Sequence, residues 1–274
     1  MEPYNIKVLT FPDLSRQVRI YSKVVESPEV VPVREEQDRN PFDGKKVREV
    51  LDFDVSFDAS ARTSLSRTKQ KVYQYARSNS WDWFVTFTFD SKKVDRYDYD
   101  SCSKHLKQWL DYIRRLSPGL AYVVVPEQHK DGAYHFHGLF SGVKESLLEF
   151  SGKYVISRFK DSSGRLRFRK TDRKIYRISK YKLGWMTATA VTDRDKVVSY
   201  ITKYLTKELM VGIYGKKRYW TSRNLFLPVE DVYLVDGWDS VRLSDDLKGL
   251  SKFSKKCMVN VGDSEQVLHI FDIE

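Results

Sequence analysis

The segment Glu127-Gln128-His129-Lys130-Asp131-Gly132-Ala133-Tyr134-His135-Phe136-His137 sets a carboxylate and three of the chain's five histidines around one turn signal. His135 and His137 are two apart, so in a strand both imidazoles leave the same face, where they can hold one ion together. Asp131-Gly132 separates two apolar runs, Tyr122-Val123-Val124-Val125 and Phe136 to Phe140, which predicts a hairpin whose arms bring Glu127 beside the histidines. Two imidazoles and one carboxylate leave coordination positions open, the arrangement of a catalytic rather than a structural metal site. His129 competes with Glu127 as third ligand, since a shift of hairpin register exchanges which of them points inward. The plainer alternative is a surface His-x-His that packs without metal.

A second run, Val197-Val198-Ser199-Tyr200-Ile201-Thr202-Lys203-Tyr204-Leu205-Thr206-Lys207, contains Tyr-x-x-Lys twice. With Asp193 as N-cap and Val197, Val198, Ile201, Leu205 and Leu209 at helical spacing, it predicts one amphipathic helix. Tyr200, Tyr204, Lys203 and Lys207 then share the face opposite the apolar one. A phenol is a poor nucleophile at neutral pH, but a neighbouring metal or lysine favours its phenolate. Amphipathic packing with solvated lysines is the plainer alternative here too.

In order and spacing, the strand Phe84-Val85-Thr86-Phe87-Thr88-Phe89, the run His135-Phe136-His137-Gly138-Leu139-Phe140 and the double Tyr-x-x-Lys segment resemble the three motifs of HUH rolling-circle replication initiators. The likeness is to the Rep endonucleases of small circular single-stranded DNA phages. It spans about residues 81–225, and Lys217-Arg218-Tyr219-Trp220-Thr221-Ser222-Arg223-Asn224 also looks like a segment of the phage versions. The resemblance implies an endonuclease and ligase that nicks single-stranded origin DNA. Tyr200 or Tyr204 would attack phosphorus, leaving a 5′-phosphotyrosine and a free 3′-OH primer, and religation would end the round. Lys203 and Lys207 would stabilise charge. His135, His137 and Glu127 would hold Mg²⁺ or Mn²⁺, with imidazole donors favouring Mn²⁺ intrinsically. The chain shows no Gly-x-x-x-x-Gly-Lys-Ser/Thr loop, so strand separation would fall to a host helicase and extension to a host polymerase. Transposases and relaxases with related active sites are alternative uses. A single-stranded nucleic-acid-binding module without catalysis, or a hydrolase that activates water, are alternatives from other classes.

The net charge of +11 is concentrated locally. Residues 153–182 hold twelve Lys and Arg against Asp161 and Asp172, interleaved with Tyr154, Phe159, Phe168, Tyr176 and Tyr181. Arg158, Lys160, Arg165, Arg167, Phe168, Arg169, Lys170, Arg173, Lys174 and Arg177 are the candidate DNA contacts, cations with aromatic platforms as a single-stranded groove requires. Arg165-Leu166-Arg167-Phe168-Arg169, after Ser163-Gly164, alternates as a basic β-ribbon would. A solvated charged loop is the alternative.

The surrounding elements predict an α+β fold, a central antiparallel sheet with helices on one face, of ferredoxin-like or HUH nickase type with N- and C-terminal extensions. Ser66 to Arg77 reads as a short basic helix, and Phe84 to Phe89 as a half-buried strand. Ser101 to Leu116 is an amphipathic helix, Val143 to Glu149 a further helix, and Trp185 to Val191 a strand. The division expected is residues 1–70 as an extension with a charged, Pro-containing linker at Glu26 to Lys45, residues 71–225 as the endonuclease domain with its basic insertion, and residues 226–274 as a C-terminal extension. Val232 to Val235 would pack back as an edge. Cys102 and Cys257 are too few for a disulfide framework and fit a reducing compartment. No signal peptide and no apolar run of spanning length is present, so a cytoplasmic location is expected.

Overall fold

The computed structural model describes residues 2–26, 50–261 and 264–274. The linker expected at Glu26 to Lys45 lies, past Glu26, outside the described residues. The chain forms two compact units, residues 60–226 and, together, residues 1–59 with 227–274. Both are built on antiparallel sheets, so the fold is α+β.

In the terminal unit, β1 (Tyr4–Thr10) and β2 (Arg16–Val25) join three strands from the other end of the chain: β10 (Val229–Tyr233), β11 (Phe253–Val261) and β12 (Ser264–Ile273). The order is β10-β1-β2-β12-β11, which places β10 at an edge. The helix α5 (Gly237–Leu250), capped by the Asp236 carboxylate on the Asp239 amide, buries Leu247 against Ile6, Val18, Ile20 and Phe271.

The larger unit contains α1 (Val50–Ser78), β3 (Trp83–Phe89), α2 (Tyr99–Leu116), β4 (Ala121–Gln128), β5 (Tyr134–Ser141), β6 (Leu148–Lys160), β7 (Leu166–Ile178), β8 (Gly184–Ala190), α3 (Arg194–Ile201), α4 (Lys207–Gly212) and β9 (Trp220–Thr221). Strand order is β6-β7-β8-β3-β5-β4-β9. Alternation along β3 decides which face is which. Val85, Phe87 and Phe89 are buried, while Phe84, Thr86 and Thr88 are half-buried on the other side. Trp109 of α2 meets Phe87 edge-on at 5.2 Å and Phe140 at 6.4 Å, so α2 seals the Phe87 face. Asp98 caps α2 by accepting from the amides of Asp100 and Ser101. The Phe84 face is left to the tyrosine segment.

Two local expectations are corrected. Val143 to Glu149 is not an α-helix. Glu145–Leu147 makes a single 3₁₀ turn, and from Leu148 the chain enters β6, paired with Ile178. So short a segment barely nucleates a helix, and strand pairing prevails. The tyrosine segment is likewise not one helix. α3 ends at Ile201, Thr202–Tyr204 tighten to a 3₁₀ turn, Leu205 is extended, and Thr206 begins α4 by accepting from the Leu209 amide. Two β-branched threonines set this break: the Thr202 hydroxyl turns back onto the Ser199 carbonyl at 3.0 Å, and Thr206 acts as a cap. Val198, Ile201, Leu205 and Leu209 are buried even so.

Candidate active site

The hairpin of β4 and β5 forms at the expected turn. The His129 amide donates to the Ala133 carbonyl and the Gly132 amide to the His129 carbonyl, both at 2.9 Å, and the Asp131 carboxylate accepts from the Ala133 amide at 3.1 Å. Gly132 has φ +87°, a conformation glycine adopts without strain. The resulting register sets Glu127 directly opposite His135, and Val125 opposite His137. On its other side β5 pairs with β3, so that His135 faces Thr88 and His137 faces Thr86. Because opposed residues in an antiparallel ladder share a face, Glu127, His135, Thr88 and, across β8, Trp185 form one row over four strands.

Each imidazole is held through Nδ1. The Thr86 hydroxyl lies 3.2 Å from His137 Nδ1, and the Thr88 hydroxyl 3.2 Å from His135 Nδ1. Nε2 of His137 points to Glu127 Oε2 at 2.7 Å, and Nε2 of His129 approaches the same oxygen at 3.2 Å. The His129 and His135 rings stack at 3.7 Å. Both contenders for third ligand are therefore gathered, with Glu127 at the centre. Burial, with the neighbouring imidazoles, pushes His135 down to about 4, and burial lowers His137 despite the opposing Glu127 carboxylate. Burial also disfavours the Glu127 charge, yet hydrogen bonds and charge from His137 and His129 hold its carboxyl below the usual range. At neutral pH the site is thus two neutral imidazoles and an ionised carboxylate.

That donor set suits a divalent cation: imidazole lone pairs at Nε2, a carboxylate, and threonine hydroxyls supporting the far nitrogens as outer-shell groups do. As the side chains lie, no group of three or more His, Cys, Asp or Glu among the described residues is spread to receive a metal. Glu127 instead bonds directly to His137, and those are the bonds that a cation would replace.

The tyrosines come to the same face. Tyr204 stacks flat on His137, with ring centroids 3.6 Å apart and planes 9° off parallel, while Tyr200 meets Tyr204 edge-on at 5.2 Å and Phe84 at 5.6 Å. Broken helix notwithstanding, the pair stays together because Phe84 and His137 form a common floor. Burial raises the Tyr204 phenol strongly, helped by its hydrogen bond to Tyr200. Tyr200 is 46% exposed. The Lys203 ammonium lies 5.5 Å from the Tyr200 ring centre. The Lys207 side chain lies outside what the structure describes.

The candidate DNA contacts are not gathered at this site. Arg158, Lys160, Arg167, Phe168, Arg169, Lys170, Arg173, Lys174 and Arg177 lie on β6 and β7, and Arg165 in the turn between them. Only the base of this ribbon reaches the row: the Arg177 guanidinium is 4.0 Å and the Lys153 ammonium 4.7 Å from the Trp185 ring, which is 40% exposed. Sequence reasoning missed Thr86, Thr88 and Trp185. The Thr-x-Thr spacing on β3 matches His-x-His on β5, a period-2 coincidence that could have signalled the pairing.

No helix among the described residues is long and apolar enough to cross a membrane. No curated protein and no solved structure matches the chain. Residues 82–209, which contain the histidine row, the ribbon and both tyrosines, match the family model of the replication-associated protein ORF2 type, a likeness that supports a role in replication initiation.

Proposed function

We propose that the protein is a replication-initiator endonuclease that nicks single-stranded origin DNA by tyrosine attack and later reseals it. The observation that carries this reading is the stacking of a tyrosine pair on His137, itself bonded to Glu127, within the segment similar to replication-associated proteins. His135, His137 and Glu127, with His129 in reserve, would hold Mg²⁺ or Mn²⁺. When bound, such an ion supplies Lewis-acid polarisation of a phosphoryl oxygen.

The chain's own residues do the rest. Tyr200, the more exposed phenol, attacks the scissile phosphorus first: its oxygen forms the new P–O bond, the bond from phosphorus to the 3′ oxygen breaks, and the phenol proton passes to water. The departing oxygen takes up a proton and becomes the 3′-OH that a host polymerase extends after a host helicase opens the duplex. The Lys203 cation favours the developing phenolate. Tyr204 stays protonated against His137 until the first adduct has formed, and then makes the second transfer. Because a phosphodiester is exchanged for a phosphodiester, the reverse step is ligation. Trp185 offers a stacking surface to an unpaired base on the same face.

The test is cleavage of a single-stranded circular DNA library with Mn²⁺, read for protein-linked 5′ ends. Tyr200→Phe or Tyr204→Phe alone should leave residual cleavage and the double variant none; full activity of the double variant would overturn the scheme.

A further inference from the structure

β6 and β7 do not end with the sheet. β8 pairs with β7 only at Ile175 and Tyr176, whereas β6 and β7 continue as a pair from Tyr154–Lys174 to Lys160–Leu166. At roughly 3.3 Å per residue, the free ribbon projects about 20 Å. A two-stranded ribbon with both faces in water is marginal by itself, and this one keeps Ile156 and Phe168 each 62% exposed. Its tip is nevertheless built: the Asp161 carboxylate accepts from the amides of Ser163 and Arg165 and pairs with Arg167 Nε at 2.9 Å.

One face has a regular pattern. The opposed pairs Ile156–Lys170, Arg158–Phe168 and Lys160–Leu166 each set a cation against an apolar side chain. A convex, cationic rod with apolar side chains between its charges has the opposite shape to the concave track that a single strand follows. It has instead the shape of a groove filler. Two strands about 4.8 Å apart with their side chains match a major groove about 12 Å wide, which admits a two-stranded ribbon, while the minor groove, at about 6 Å, does not.

We propose that β6 and β7 form an arm that enters the major groove of duplex DNA beside the strand presented to the tyrosines. The choice of DNA as the polyanion rests on the function proposed above; the fit to a groove rests on the ribbon alone. Arg158 and Lys160 supply base-edge or phosphate contacts, and Ile156, Leu166 and Phe168 supply apolar contact to thymine methyls.

The test uses the full chain in chelator, so that nothing is cut, and a mixed-sequence duplex whose cytosines either are unmodified or carry glucosylated hydroxymethyl groups that fill the major groove. Glucosylation should weaken binding about tenfold, the size of one lost base contact, while netropsin in the minor groove leaves it unchanged. Arg158→Ala with Lys170→Ala should lower duplex affinity more than affinity for the separated strands. Indifference to glucosylation, or equal loss on duplex and single strands, would overturn the arm. A chain that forms no tyrosine adduct yet shows this groove dependence would sink the nuclease and keep the arm, and an adduct without groove dependence would do the reverse.

Discussion

The histidine row and the basic ribbon belong to one sheet and are built on opposite terms. In the row, each imidazole is fixed at both nitrogens or by stacking, His137 is buried, and the surrounding charge is a single carboxylate. In the ribbon, side chains on both faces are exposed and cations dominate. The row lies on the central strands β3 and β5, backed by Phe87, Trp109 and Phe140, whereas the ribbon hangs from an edge. Chemistry that tolerates little displacement sits where packing is densest, and attraction for a polyanion, which tolerates much, sits where nothing else packs.

Substitutions should separate these two regions. The largest effect belongs to the row: His137→Ala should lower cleavage at least about a hundredfold with little change in DNA affinity, measured by single-turnover cleavage beside equilibrium binding. A comparable loss of affinity would erase the distinction. Next, Thr86→Val and Thr88→Val, which keep shape and remove the hydroxyls, should each weaken Mn²⁺ binding about tenfold, read by calorimetry on the uncut protein. On the ribbon, Arg169→Ala should leave the single-turnover cleavage rate at saturating DNA within about twofold and reduce the slope of log affinity against log salt by about one. The smallest effect is acid sensitivity. The His135 pKa is lower in the fold than in the open chain, so its neutral form favours folding. That contribution is complete above about 6.5 and is lost as pH falls toward about 4. Without added metal, melting temperature should fall across that window, and His135→Gln should flatten the fall.

The hairpin, its turn and the choice of His135 with His137 were legible because period-2 spacing and Asp131-Gly132 are local signals. So was the ribbon, from the alternation after Ser163-Gly164. The break in the tyrosine segment was not. Apolar spacing from Val197 to Leu209 fits one helix, and only the competing bonds of Thr202 and Thr206 interrupt it. Trp185 escaped notice because its place in the row depends on β8 pairing with β3 across an inserted ribbon, a non-local fact. The five-stranded terminal sheet was hidden for the same reason, since β2 and β12 meet across most of the chain.

The most direct test is mass-spectrometric mapping of the peptide that retains DNA after reaction with single-stranded DNA and Mn²⁺. A 5′-phosphate on Tyr200 in the first turnover, with Tyr204 modified only later and both lost in chelator, is the expected result. Cleavage that leaves no nucleotide on either tyrosine would contradict the account.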